Sequence, residues 1–125
     1  MNYRLADKDL TVNPAGSIPT IEFNSNLSST HFHVQVQTAN GWQMVVDSVG
    51  LGHAVAIKGG PINSAADFAT KRFFWDLTLA TDSETDPIEA VLEMVIEQDG
   101  NTLLRVDDDH SITGQESYYE YVNCK

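Results

Sequence analysis

His31 and His33, separated by one residue, are the side chains of this sequence best spaced to hold a metal ion. If His31-Phe32-His33 is a strand, its period of two projects both imidazoles from one face, a usable pair of ligands. Asp47 joins them if the segment folds back on itself, because it then lies opposite His33. A second set of ligands is purely acidic: Asp82, Glu84 and Asp86 alternate as in a calcium loop, and Asp107, Asp108 and Asp109 stand side by side. An EF-hand needs glycine at the sixth loop position for its sharp turn; here that residue is Pro87, which cannot adopt the conformation. An irregular calcium site drawing on Asp82, Asp107 and Asp109 stays open. The plainer readings are a surface ion pair of His33 with Asp47 and a solvated, self-repelling run of aspartates. No cofactor is therefore expected, with a divalent cation such as calcium as the alternative.

Other chemistries find less support. Trp42, Trp75, Tyr118, Tyr119 and Tyr121 have rings suited to stacking on a sugar, although on alternating strands such residues usually fill a core or its rim. There is no G-x-S-x-G, and Cys124 has no helix terminus beside it to activate a thiol. As the only cysteine it cannot close an internal disulfide. Gly50, Gly52, Gly59 and Gly60 form no phosphate-binding loop, and His53 and His110 have no readable partners. A similar H-x-H opens the metal motif of the cupins. Gln37 stands where their glutamate belongs, and the flanking glycines are missing, so that resemblance is rejected.

The formal net charge of −11 argues against direct binding to nucleic acid or an anionic membrane, both of which reward lysine and arginine. Residues 1–80 carry six acids and five bases, whereas residues 81–125 carry twelve acids against Arg105 and Lys125. The excess lies in the last third, where Asp82, Glu84, Asp86, Glu89, Glu97, Asp107, Asp108 and Asp109 are candidates for an acidic face. The opening residues show no basic region leading into an apolar one, so no secretory signal is expected. Cytoplasmic residence is the default, a mature exported form the alternative. The triplet Asn26-Leu27-Ser28 would matter only in a glycosylating pathway.

The elements that must position these residues read as strands. Tyr3 to Val12 is a weak edge strand ended by Asn13-Pro14-Ala15-Gly16, and Ile18 to Phe23 is a second, whose Pro19 suits an edge or a strand start. His31 to Val49 is the clearest hairpin. Closing it on a three-residue loop, Ala39-Asn40-Gly41, pairs Val36 with Met44, Thr38 with Trp42, His33 with Asp47 and Gln37 with Gln43. Phe32, Val34, Val36, Trp42, Met44 and Val46 then share the core face. A flexible Val49–Gly52 connection leads to an apolar run, His53 to Ile57. A short helical turn is expected near 64–70, capped by Ser64 with Asp67 three residues on. Phe73, Trp75, Leu77 and Leu79 then alternate as a strand.

Residues 86–100 support two patterns. As a helix, Asp86 caps and Ile88, Val91, Leu92, Val95 and Ile96 form a stripe; as a strand, Ile88, Ala90, Leu92, Met94 and Ile96 face inward. The strand also gives Leu104 and Val106 a role. Closing at Gln98-Asp99-Gly100 pairs Ile96 with Thr102, Met94 with Leu104 and Leu92 with Val106, and sets Glu93 opposite Arg105. A last strand carries Tyr118 to Tyr121. The end of the chain, Val95-Ile96-Glu97-Gln98-Asp99-Gly100 through Leu103 to Asp109 and Ile112-Thr113, resembles the closing strands of the AidA/PixA inclusion-body proteins, bacterial β-rich proteins of obscure activity. Asp108 and His110 replace their tryptophan and proline.

Eight or nine strands in one domain of 125 residues predict an all-β fold, an antiparallel β-sandwich. A small β-barrel is the alternative, or α+β if 87–98 is helical. The functional expectation is a non-enzymatic acidic module that binds a protein partner or assembles with itself, compatible with a homo-oligomer. A phosphate-mimicking inhibitor of a DNA-binding protein and a carbohydrate- or metal-binding domain are the other expectations.

Overall fold

The computed structural model describes residues 2–47 and 51–125, the side chains of residues 2, 29 and 30 excepted. Among the described residues, alternation of apolar and polar residues becomes ten strands: β1 Asn2–Arg4, β2 Lys8–Leu10, β3 Thr20–Ser25, β4 Ser28–Thr38, β5 Gly41–Asp47, β6 Val55–Ala56, β7 Arg72–Ala80, β8 Ile88–Gln98, β9 Asn101–Ile112 and β10 Gln115–Cys124. One short helix, α1, spans Ala65–Phe68; the Ser64 side chain accepts from the Asp67 amide at its start. No helix among the described residues is long and apolar enough to cross a membrane.

Two sheets pack face to face. The six-stranded sheet runs β1-β10-β7-β4-β5, with β2 also on β10; the four-stranded sheet runs β6-β3-β8-β9. The fold is thus an all-β sandwich rather than a closed barrel, and 88–98 is a strand. Every long strand pair is antiparallel, while β1 and β2 join the outer side of β10 in parallel. The expected strand from Tyr3 to Val12 is therefore two short pieces. Between them Leu5 donates to the Tyr119 carbonyl at 2.9 Å. β3 is covered by β8 along its length and by β6 only at Thr20 and Ile21, so Pro19 stands just before the strand rather than inside it.

The inner faces supply the core. Phe32, Val34 and Val36 of β4, Phe73, Trp75, Leu77 and Leu79 of β7, Tyr118 and Val122 of β10, and Ala90, Leu92, Met94 and Ile96 of β8 are all buried. Phe23 bridges the sheets, its ring 4.6 Å from that of Phe32 and 5.2 Å from that of Trp75. Burying one such aromatic side chain contributes on the order of 2–3 kcal/mol.

Both hairpins turn in two residues, not three. In the first, Thr38 pairs with Gly41, Gln37 with Trp42, Val36 with Gln43 and Gln35 with Met44; a bulge at Val45 then restores Val34 opposite Val46 and His33 opposite Asp47. The expected register thus holds at the His33 end and is displaced by one at the turn end. Because strand side chains alternate, that single step carries Trp42 and Met44 from the core face to the outer face. In the second hairpin Asp99 and Gly100 both take positive φ, 51° and 80°, the pair of left-handed residues that a tight turn matching strand twist requires. A further bulge between Ile96 and Glu97 leaves Ile96 opposite Leu104, Met94 opposite Val106 and Leu92 opposite Asp108. Two displacements sum to an even number, so the apolar sorting survives. Glu93 faces Asp107 instead of Arg105, yet the Arg105 guanidinium still reaches it diagonally in an ion pair. The ends of the expected His31–Val49 hairpin and of the Val49–Gly52 connection include residues 48–50, outside the described residues.

Candidate functional site

On the outer face of the six-stranded sheet, register places residues in rows across the strands. One row reads Asp47 on β5, His33 on β4, Asp76 on β7, Tyr119 on β10 and Arg4 on β1. The next carries His31, Thr78 and Ser117; on the other side stand Met44, Gln35, Phe74 and Tyr121. Together they form a face with a histidine–aspartate end and an aromatic end. A depression of about 380 Å³ between them is lined by His31, Phe74, Asp76, Thr78, Tyr119 and Tyr121 among others.

At the polar end His33 lies between two carboxylates. Its Nε2 is 2.9 Å from Asp47 Oδ1 and its Nδ1 is 3.2 Å from Asp76 Oδ1, while His31 Nε2 is 3.8 Å from the same Asp76 oxygen. The imidazole rings sit 4.6 Å apart. Asp76 Oδ1 is buried and, beyond its ion-pair contacts with the two imidazoles, has no hydrogen-bond partner among the described residues. Burial raises the Asp76 carboxyl above its ordinary pKa against the opposing pull of the two imidazoles. One ligand atom from each of His31, His33 and Asp76 lies within 4.8 Å of the others, the only such group of three among the described residues.

At the aromatic end Phe74 meets the edge of Trp42, ring centres 4.9 Å apart at 79°, and Tyr121 at 5.5 Å. The Arg4 and Arg72 guanidiniums lie 4.9 and 4.7 Å from the centre of the Tyr121 ring, close enough for cation–π attraction. Asp7 holds both arginines, at 3.0 and 3.8 Å. Trp42 and Met44 remain 37% and 39% exposed, so this face presents open apolar surface.

The remaining candidates fall elsewhere. Trp75 and Tyr118 point into the core, so of the five candidate stacking rings Trp42, Tyr119 and Tyr121 share the outer face. Trp75 Nε1 donates to Glu120 Oε1 at 3.1 Å, and Glu120 Oε2 and the Tyr118 hydroxyl are buried without a partner. Burial pushes the Glu120 carboxyl up to about 7 and raises the Tyr118 phenol. Asp82, Glu84 and Asp86 lie in the β7–β8 loop. Asp107 and Asp109 project from the outer face of β9 beside Glu89, Glu93 and Glu97 of β8. Asp108 turns to the inner side, where it holds His110 Nδ1 at 3.0 Å; His110 Nε2 is 3.5 Å from Glu116 Oε1 and its ring packs on Tyr3 and Tyr118. His110 thus has partners that its isolation in sequence conceals. The Cys124 thiol, half-buried, is pushed up to about 12 by burial.

Asp76 and Phe74 are among the residues of this face that the sequence did not single out, as are Arg4 and Arg72. The only signal of Asp76 and Phe74 was position: they are the outward residues of a strand whose inward residues are Phe73, Trp75 and Leu77. Which strands flank them depends on strand order, which no local pattern carries. No protein-family model matches the chain, and neither a curated protein nor a solved structure gives a significant match.

Proposed function

We propose that the chain is a non-enzymatic binding module that meets a protein partner, a second copy of itself included, through the outer face of the six-stranded sheet. The observation that carries this reading is the composition of that face. Trp42, Met44, Phe74, Tyr119, Tyr121, Arg4 and Arg72 gather on one surface of a chain with a formal net charge of −11. Interface centres are enriched in tryptophan, tyrosine, phenylalanine, methionine and arginine and depleted of lysine and acids. The adjoining β5 ends the strand order of its sheet, and Gly59 and Gly60 pack against its backbone at Val45 and Met44.

The test combines light scattering over a concentration series with pull-down, on the wild type and on Trp42→Ala/Met44→Ser. Both residues are exposed, so the double variant keeps the fold. Association weakened by about 30-fold or more in the variant supports the face, that being the effect of losing roughly 2 kcal/mol at an interface centre. A strictly monomeric chain that captures nothing defeats the proposal, as does association that the double variant leaves intact. Quenching of Trp42 fluorescence by soluble oligosaccharides, without protein capture, would replace the partner with a sugar.

A further inference from the structure

We propose that His31, His33 and Asp76 form a binding site for a first-row divalent transition metal ion of the zinc, cobalt or nickel kind. The inference does not depend on the partner-binding reading, since its three ligands lie at the other end of the face from Trp42.

Distances come first. In a tetrahedral site with bonds of about 2.05 Å, neighbouring ligand atoms are roughly 3.3 Å apart. His33 Nδ1 and His31 Nε2 stand 3.2 and 3.8 Å from Asp76 Oδ1, so an ion drawing the three together needs only small rotations of side chains. The backbone is already in place: His33 and Asp76 are direct cross-strand neighbours on β4 and β7, and His31 is two residues along the same face.

The unsatisfied oxygen comes second. Beyond its ion-pair contacts with the two imidazoles, buried Asp76 Oδ1 has no hydrogen-bond partner among the described residues, an arrangement that costs free energy unless something else meets the oxygen. A cation on the open side would do so. The outer partner comes third. Asp47 Oδ1 lies 2.9 Å from His33 Nε2, the nitrogen facing away from Asp76. A carboxylate on the far nitrogen fixes the tautomer that leaves Nδ1 free to coordinate, an arrangement characteristic of metal-ligating histidines. In this site Asp47 is a positioning residue, not a ligand.

Chemistry then selects the ion. Two imidazoles and one carboxylate oxygen suit zinc and its neighbours, whereas calcium and magnesium ask for six or more oxygens. Three protein ligands leave at least one position open toward the depression lined by Thr78, Ser117 and Tyr119, where water or a ligand atom would complete the shell.

The experiment uses the untagged full chain, dialysed against chelator, and titrates zinc, cobalt, calcium and magnesium chlorides by calorimetry. Cobalt is followed in parallel by its visible absorption. The expected result is one zinc or cobalt ion per chain at micromolar or tighter affinity, with no response to calcium or magnesium. His31→Ala and Asp76→Asn should each weaken binding at least tenfold; Asp47→Asn should weaken it by about tenfold, the usual effect of losing an outer partner. Trp42→Ala should leave it unchanged. Circular dichroism of each variant checks the fold, and His31, half-buried on the outer face of the sheet, gives a variant outside the core. Absence of saturable binding at millimolar zinc overturns the proposal, and so does zinc binding that survives both His31→Ala and Asp76→Asn.

Discussion

Replacing Glu120 by glutamine should stabilise the protein above neutral pH and flatten its pH dependence. Glu120 is fully buried on the inner side of β10, with Oε1 accepting from Trp75 Nε1 and Oε2 without a partner. Desolvation lifts its pKa from 4.5 to about 7, partly opposed by the Trp75 hydrogen bond and Lys8, and reinforced by Asp7. The folded protein therefore binds a proton there that the unfolded chain releases between those values. The resulting stabilisation is complete below about pH 4.5 and is lost as pH rises through 7. A displacement of that size corresponds to about 3 kcal/mol between the two ends of the window. Glutamine keeps the acceptor for Trp75 and stays neutral throughout, although its amide N–H groups inherit the unpartnered side at a cost of roughly 1–2 kcal/mol. Urea unfolding monitored by circular dichroism at pH 4.5 and pH 8 measures both proteins. The wild type should lose about 3 kcal/mol relative to Glu120→Gln on going from the lower to the higher pH. Parallel pH profiles for the two proteins would refute the reasoning, because they would mean that Glu120 titrates alike in folded and unfolded chains.

Other outcomes rest on single features of the fold. Gln98 is buried and ties the β8 end to the turn before β3, accepting from the Asn13 amide at 2.9 Å and donating to the Asn13 and Ser17 carbonyls at 2.8 Å. Gln98→Ala should cost about 2–3 kcal/mol in chemical denaturation, since it strands backbone groups as well as losing bonds. Cys124, its thiol pushed up to about 12 by burial, should react with iodoacetamide at pH 8 at least a hundredfold more slowly in the native protein than after denaturation. Gly59→Ala should lower the melting temperature markedly, because an added Cβ would sit 2.5 Å from the Val45 carbonyl oxygen at a φ of 148°.

Much of the fold was legible because both hairpins carry their own punctuation. Asp99-Gly100 decided between helix and strand for 88–98, since only a hairpin gives Leu104 and Val106 an apolar face to join. The loop length was not legible. An Asn-Gly or Asp-Gly sequence fits both two-residue and three-residue connections, and the two differ by one step of register. Nor does a bulge announce itself: Val45 and Val46 are chemically alike, and only the pairing with Val34 distinguishes the extra residue. Those two details moved Trp42 and Met44 outward and so created the aromatic end of the face. At the polar end His31, His33 and Asp47 were readable as one hairpin, whereas Asp76 comes from a strand more than forty positions from His33. Contacts of that kind are fixed by sheet order, which depends on global packing.

The sheet that separates Trp75 from Trp42 also makes the protein a two-channel optical device. Trp75 lies in the core against Glu120, and Trp42 stands on the opposite surface of the same sheet. A collisional quencher should therefore reach one emitter and spare the other. Events at the surface would register in the quenchable, red-shifted light, and loss of the interior in the protected, blue-shifted light. Trp42→Phe and Trp75→Phe would assign the two signals, allowing occupancy of the face and integrity of the core to be read separately from one sample.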